Sequence, residues 1–339
     1  MSRSDAVKKA ILHEESDYIP YNIELTREVE ARLETEMGLK AGGFFEWAGN
    51  HIEKCGFETG ETIRPGFYKD EYGVVWDRSG QDKDIGIMAG VIFPEPEIDL
   101  YAFPSVDRAG IEAKCQKFLA VERDTYKFAK IGTTLFERAW SLRGFENLFM
   151  DFMLEESFSH ALLERIADRN IEILDVVLRY DFDGVYFGDD YGQQTSLLMS
   201  PDTWRKFIKP QLKRMFDLIK SKGKSVCLHS CGNIYAILGD LIDIGLDVYQ
   251  TVQPEIYDLQ SLNKEFGSSL AFYGAISTQR DLPYKDAGEI KSIVKETMRV
   301  LGSGGGYIAA PTHRITGDVP VDNILAMIDA FKNQQGRMT

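Results

Sequence analysis

The stretch "SVCLHSCGNIYAILGDLIDIGLDVYQTVQ", residues 225–253, decides the fold. "SVCLHSCGN" reads as a short buried strand, "IYAILGDLIDIG" as a helix and "LDVYQTVQ" as a second strand. Two strands joined through a helix pair in parallel, because only a long crossover returns the chain to the same sheet edge.

The same rhythm extends both ways. Upstream, "HALLERIADRNIEILDVVLRY" predicts a helix, "FDGVYFGDD" a strand and "SPDTWRKFIKPQLKRMFDLIKSKG" a helix starting at Ser200. Downstream, the helix "IYDLQSLNKEFG" precedes the strand "SLAFYGAIST", and the helix "DAGEIKSIVKETMRVLGSGG" precedes the strand "GYIAAPTH". Such alternation calls for a parallel sheet with helical crossovers. No glycine-rich phosphate fingerprint follows the first strand, which argues against a dinucleotide-binding open sheet. The expected fold is therefore an α/β, (β/α)8 TIM barrel, with "YIPYNIEL" as its first strand and "GYIAAPTH" as its eighth. It is read as a single domain over residues 1–339 with N-terminal helical and irregular additions. The helix "SRSDAVKKAILHEE" is expected to be capped by Ser4, and residues 40–125 to form an irregular excursion around strand two, with "DEYGVVWDRSG" and "IGIMAGVIFP" as a hairpin or excursion within it.

A barrel of this kind carries its site at the C-terminal strand ends. Those ends are strongly polar here. Asn22 and Glu24 end strand one, Glu137 and Arg138 are read on strand three, and Asp189 and Asp190 end strand four, followed by Tyr191. His229 and Cys231 follow on strand five, Gln250 and Gln253 on strand six, and His313 on strand eight. Alternation along strand five puts Cys227, His229 and Cys231 on one face and Val226 and Leu228 on the other. The Val/Leu face suits the surrounding helices, which leaves the Cys/His face inside the barrel. Cys227, like Cys55 and Cys115, is expected to be a packed small side chain. His229 and Cys231 are candidate metal ligands, and His313 would supply the third that a catalytic zinc needs.

The formal charge of −14, from 39 basic and 53 acidic residues, argues against nucleic acid as a partner. No stretch approaches the ~20 consecutive apolar residues of a membrane span, and the first residues lack a signal peptide's apolar core. A cytoplasmic location without membrane attachment is expected. Four cysteines in 339 residues do not make a disulfide framework.

"LFERAWSLRGFENLFMDFM", "FDGVYFGDDYG", "LHSCGNI", "GSSLAFYGAIST" and "GGGYIAAPTHRITGDVPVDNI" resemble the uroporphyrinogen decarboxylase superfamily in order and spacing, through most of the chain. The resemblance implies a TIM barrel. True decarboxylases carry an Arg-rich first strand region, whereas this chain has "NIELTREV" there. A polycarboxylate would meet like charge at Glu24, Glu137, Asp189 and Asp190. The sequence looks more like the zinc-dependent, cobalamin-linked (corrinoid) methyltransferases. Their His-x-Cys pair matches His229 and Cys231, while His313 stands where their later Cys would be. Imidazole in place of a thiolate leaves the site more positive and zinc a stronger Lewis acid.

The resemblance implies a zinc-dependent methyltransferase. It would move a methyl group between a methylated small molecule, a methoxylated aromatic (O-demethylation) being one candidate, and cobalamin carried by a separate corrinoid protein. No Asp-x-His-x-x-Gly corrinoid motif occurs in the chain. Glu24, Glu137, Asp189 and Asp190 are the candidate catalytic carboxylates, and Asn22, Arg138, Tyr191 and Gln253 the candidate substrate contacts. The alternative is a metal-free decarboxylase or lyase of the same superfamily; a binding protein that kept the barrel is a third reading.

Overall fold

The computed structural model describes residues 1–80 and 86–334. Its strands, in chain order, are β1 (Ile52–Gly56), β2 (Gly60–Arg64), β3 (Phe67–Asp70), β4 (Val75–Asp77), β5 (Ile87–Met88) and β6 (Tyr126–Ile131). There follow β7 (Gly184–Gly188), β8 (Ser225–His229), β9 (Val248–Val252), β10 (Ala271–Ile276) and β11 (Tyr307–Pro311). Seven of them form one sheet in the order β1-β6-β7-β8-β9-β10-β11, with every pair parallel. From residue 160 onward the strand–helix rhythm read in the sequence is the observed one.

The segment expected as strand one forms isolated parallel bridges, Tyr21 to Ala309 and Leu25 to Ile315. It still joins the two sheet edges. The Asn22 N–H donates to the Ala309 carbonyl and the His51 N–H to the Tyr21 carbonyl. Side-chain amides replace part of the ladder: Asn22 Oδ1 accepts from the Ile52 N–H at 3.2 Å, and Asn50 Oδ1 from the Ile23 N–H at 2.9 Å. Seven strands and one amide-stitched segment therefore complete the ring.

Alternation sorts the side chains. Ile52, Tyr126, Phe128, Tyr186, Cys227, Val248, Ala271, Tyr273, Ile308 and Ala310 make a buried inner cluster. Val226 and Leu228 belong instead to the outer core, with Leu212, Met215 and Phe216 of the helix Lys209–Lys220. The N-terminal helix Arg3–Ile11 contributes Val7 and Ala10 to the inner cluster and so plugs the N-terminal end of the ring. Ser2, not Ser4, caps it, accepting the Asp5 N–H at 3.0 Å. Ser200 caps its helix as expected, with Pro201 in the first turn.

The described residues between 40 and 125 are more regular than their sequence suggested, and the antiparallel pairing of β4 with β5 joins the two stretches read as a hairpin. These residues hold β1, which is a ring strand, and a separate antiparallel sheet in the order β2-β3-β4-β5. The helix Arg108–Leu119 then leads to β6. Asp70 ties this small sheet together, accepting from the Tyr72 and Val74 N–H groups and from the Trp76 indole at 3.1 Å.

Candidate metal centre

Three side chains converge where β7 and β8 end. One ligand atom from each of Asp190, His229 and Cys231 lies within 4.8 Å of the others. His229 Nε2 is 3.5 Å from Cys231 Sγ and 3.5 Å from Asp190 Oδ1. Asp190 also accepts the backbone N–H of Cys231 at 2.7 Å, so the carboxylate is held against the main chain that carries the thiol. Two glycines permit this approach. A Cβ on Gly232, whose φ is +80°, would lie 2.2 Å from the Gly192 backbone, so the two strand-end loops touch main chain to main chain.

The far side of His229 is equally specified. His229 and Gln250 are register partners on β8 and β9. The imidazole Nδ1 bonds to Gln250 Oε1, which also accepts the Tyr186 hydroxyl at 2.8 Å. The Tyr186 and His229 rings are stacked, with centroids 6.5 Å apart.

Charge around the group favours a cation. Burial pushes the Cys231 thiol well above its ordinary pKa, helped by the charges of Asp190 and Glu137. Burial and the neighbouring Asp190 and Asp189 also raise the Glu137 carboxyl well above the usual carboxylate range. One nitrogen, one sulfur and one carboxylate oxygen form a donor set that suits zinc. The residues fit the metal the sequence implied, with Asp190 inside the tight group. His313 stands beside it, partly open to solvent, its ring centroid 6.2 Å from that of His229, and partial burial together with the neighbouring His229 lowers its pKa.

Several expected site residues have other tasks. Glu137 and Arg138 lie on the helix Phe136–Arg143 rather than on a strand, because β6 ends at Ile131. Asp189 is fully buried and anchors that helix. It accepts the N–H groups of Leu135, Phe136 and Glu137 at 3.2, 2.9 and 2.7 Å and the Tyr191 hydroxyl at 2.6 Å. Burial raises the Asp189 carboxyl to about 6 against those four donors. Both Asp189 and Tyr191 are thereby consumed inside the protein. Arg138 is buried on Asp70 at 2.6 Å and over the Tyr72 ring, which joins the small sheet to the barrel. Gln253 accepts the Gly232 N–H at 2.7 Å and so holds the loop after Cys231. Asn22 bonds Tyr273 and closes the ring. Glu24 does reach the mouth, paired with Lys54 and 3.9 Å from Arg314. Burial would raise its pKa, yet the Lys54 ammonium holds it down at about 2.

Residues 133–334 match the sequence profile of uroporphyrinogen decarboxylase (URO-D), more than half of the chain. The chain belongs to the URO-D family. Over 133 residues, 39% of this chain, it is 32% identical to the Methylcobamide:CoM methyltransferase MtaA of Methanosarcina barkeri. Over an equal length it is 29% identical to the protein of that name from Methanosarcina barkeri (strain Fusaro / DSM 804). Each match spans 37% of the relative's length. A solved methyltransferase from Methanosarcina mazei is 18% identical over 98% of both chains with a TM-score of 0.72, which shows a shared fold.

Within this URO-D chain, reading strand ends alone missed two cations. Lys54 on β1 lies 4.0 Å over the Tyr186 ring, beside Glu24. Lys130 on β6 shares the inward parity of Tyr126 and Phe128, and burial and then the nearby Lys54 and Arg314 lower its pKa despite Glu58 and Glu24. The like-charge argument against an anionic substrate thus left out part of the mouth. The signal was present in the alternation of "HIEKCG" and "YKFAKI", but the first of these lay in a segment read as irregular. Among the described residues, no helix is long and apolar enough to cross a membrane.

Proposed function

We propose that this chain is a zinc-dependent methyltransferase working with cobalamin on a separate corrinoid protein. The observation that carries this reading is the convergence of Asp190, His229 and Cys231 within 4.8 Å at the mouth of a URO-D-family barrel. The partial identity to the Methylcobamide:CoM methyltransferases supports it. His229 and Cys231 hold the metal, Asp190 completes a three-residue set, and His313 stands alongside as a further donor. When bound, zinc supplies Lewis acidity to the heteroatom that gives up or receives the methyl group. Glu137, kept protonated by burial and by Asp190, holds a proton where a departing oxygen or sulfur requires one. That proton fits demethylation of a methoxylated aromatic, whose leaving group is a phenolate oxygen that takes up a proton to become the phenol. Glu24, held ionised by Lys54, orients groups at the mouth instead of exchanging protons.

Elemental analysis with a corrinoid-dependent methyl-transfer assay tests the proposal. About one zinc per chain is expected, with metal and transfer both lost in His229→Ala. Full activity in metal-free protein, or unchanged zinc in His229→Ala, overturns it. The second reading, a metal-free decarboxylase or lyase, draws on Lys54 and Lys130, which suit a carboxylated substrate. It requires turnover of a carboxylic acid with no metal and no corrinoid protein.

A further inference from the structure

We infer that Gln250 is the positioning residue of the metal centre, fixing the tautomer and ring orientation of His229; the inference rests on the reading of His229 as a ligand. Gln250 is buried and sits directly opposite His229 in the β8–β9 register. Its Oε1 faces two groups at once, the Tyr186 hydroxyl at 2.8 Å and His229 Nδ1. An amide oxygen only accepts, so both neighbours donate and the proton of a neutral His229 resides on Nδ1. The Nε2 lone pair then points at Cys231 Sγ and Asp190 Oδ1, each 3.5 Å away. Among the neutral forms, only this tautomer is competent for an ion in that group.

Tyr186 locks the arrangement from the other side. Its hydroxyl holds Gln250 Oε1 in place, and its ring lies stacked near the imidazole. The chain Tyr186–Gln250–His229 thus runs across three adjacent strands, β7, β8 and β9, and depends on the rigid sheet rather than on a loop. An acceptor on the outer nitrogen of a ligating histidine orients the ring and raises its basicity, and losing one costs about 10–100-fold in metal affinity.

The test compares Gln250→Leu, Gln250→Glu and Tyr186→Phe in the full chain. Zinc affinity is measured by chelator competition, the His229 tautomer by 15N NMR of metal-free protein, and folding by thermal unfolding. Gln250→Leu is expected to weaken zinc binding by about 10–100-fold and to lose the Nδ1–H signature. Gln250→Glu, which keeps the acceptor, retains both, and Tyr186→Phe gives a smaller loss than Gln250→Leu. Unaltered zinc affinity in Gln250→Leu, or an Nε2–H tautomer in the wild-type protein, overturns the inference. So does a loss that Gln250→Glu fails to rescue, which would mark a packing role. Because the NMR arm needs no metal, a wild-type protein that binds no zinc sinks the proposed function while the tautomer still decides the role of Gln250.

Discussion

The two ends of the barrel are built from the same inward-facing strand positions and could hardly differ more. At the N-terminal end, Val7 and Ala10 of the plugging helix meet Ile52, Tyr126 and Phe128, and the ring is filled. Even the histidine there is buried and neutral. His51 is 3% exposed between Tyr18 and Tyr21, and burial with nearby Arg3 pushes its pKa down to about 4. At the C-terminal end the same parity delivers Lys54, Lys130 and His229, with Asp190 and Cys231 just beyond the strands. An inward strand position accepts either chemistry. What separates the ends is that apolar atoms satisfy one, while the other spends its hydrogen-bonding groups on holding particular atoms in place.

That contrast can be broken from either side. At the filled end, Ile52→Ala is expected to cost about 2–5 kcal/mol of stability, read by denaturant unfolding, while zinc content stays unchanged. A loss of zinc in that variant would mean the ends are not independent. At the open end, Asp190→Asn is expected to lower zinc affinity by about tenfold or more with little change in unfolding midpoint, since it removes a charged ligand. His313→Ala should lower it less, because His313 stands outside the 4.8 Å group; the reverse order would make His313, not Asp190, the third ligand. The smallest effect concerns acid. Glu24 has a folded pKa of about 2 against an ordinary value of 4.5, so its pairing with Lys54 contributes stability above pH 4.5 that is lost as pH falls toward 2. Glu24→Gln should flatten the acid-unfolding curve within that window. An unchanged curve would show that the exposed part of the pair is screened by solvent.

The sequence made the β7-to-β11 half of the ring legible because its strands are short apolar runs between helices of clear period. The same half showed His229 and Cys231, since alternation needs only the strand itself. Asp190 was visible as a strand-end carboxylate, but its place beside Cys231 depends on two glycine loops meeting across strands, which no single-strand pattern records. Asp189, its neighbour, looked identical and proved to be a helix anchor. Telling those two apart requires knowing where β6 ends and the next helix begins, and "IGTTLFERAW" reads as continuous. Lys54 escaped because its strand is separated in sequence from the next ring strand, β6, by an inserted sheet whose own polar alternation obscures the ring.

The pair Asp189–Asp190 has a mechanical consequence. One carboxylate grips the first turn of the helix that carries Glu137, and the next residue in the chain offers its carboxylate to His229 and Cys231. The helix carrying Glu137 and the Asp190 carboxylate are therefore geared through a single peptide link. The helix carrying Glu137 is thus tied to the same strand end that presents Asp190, so their relative placement is set locally, at the end of β7.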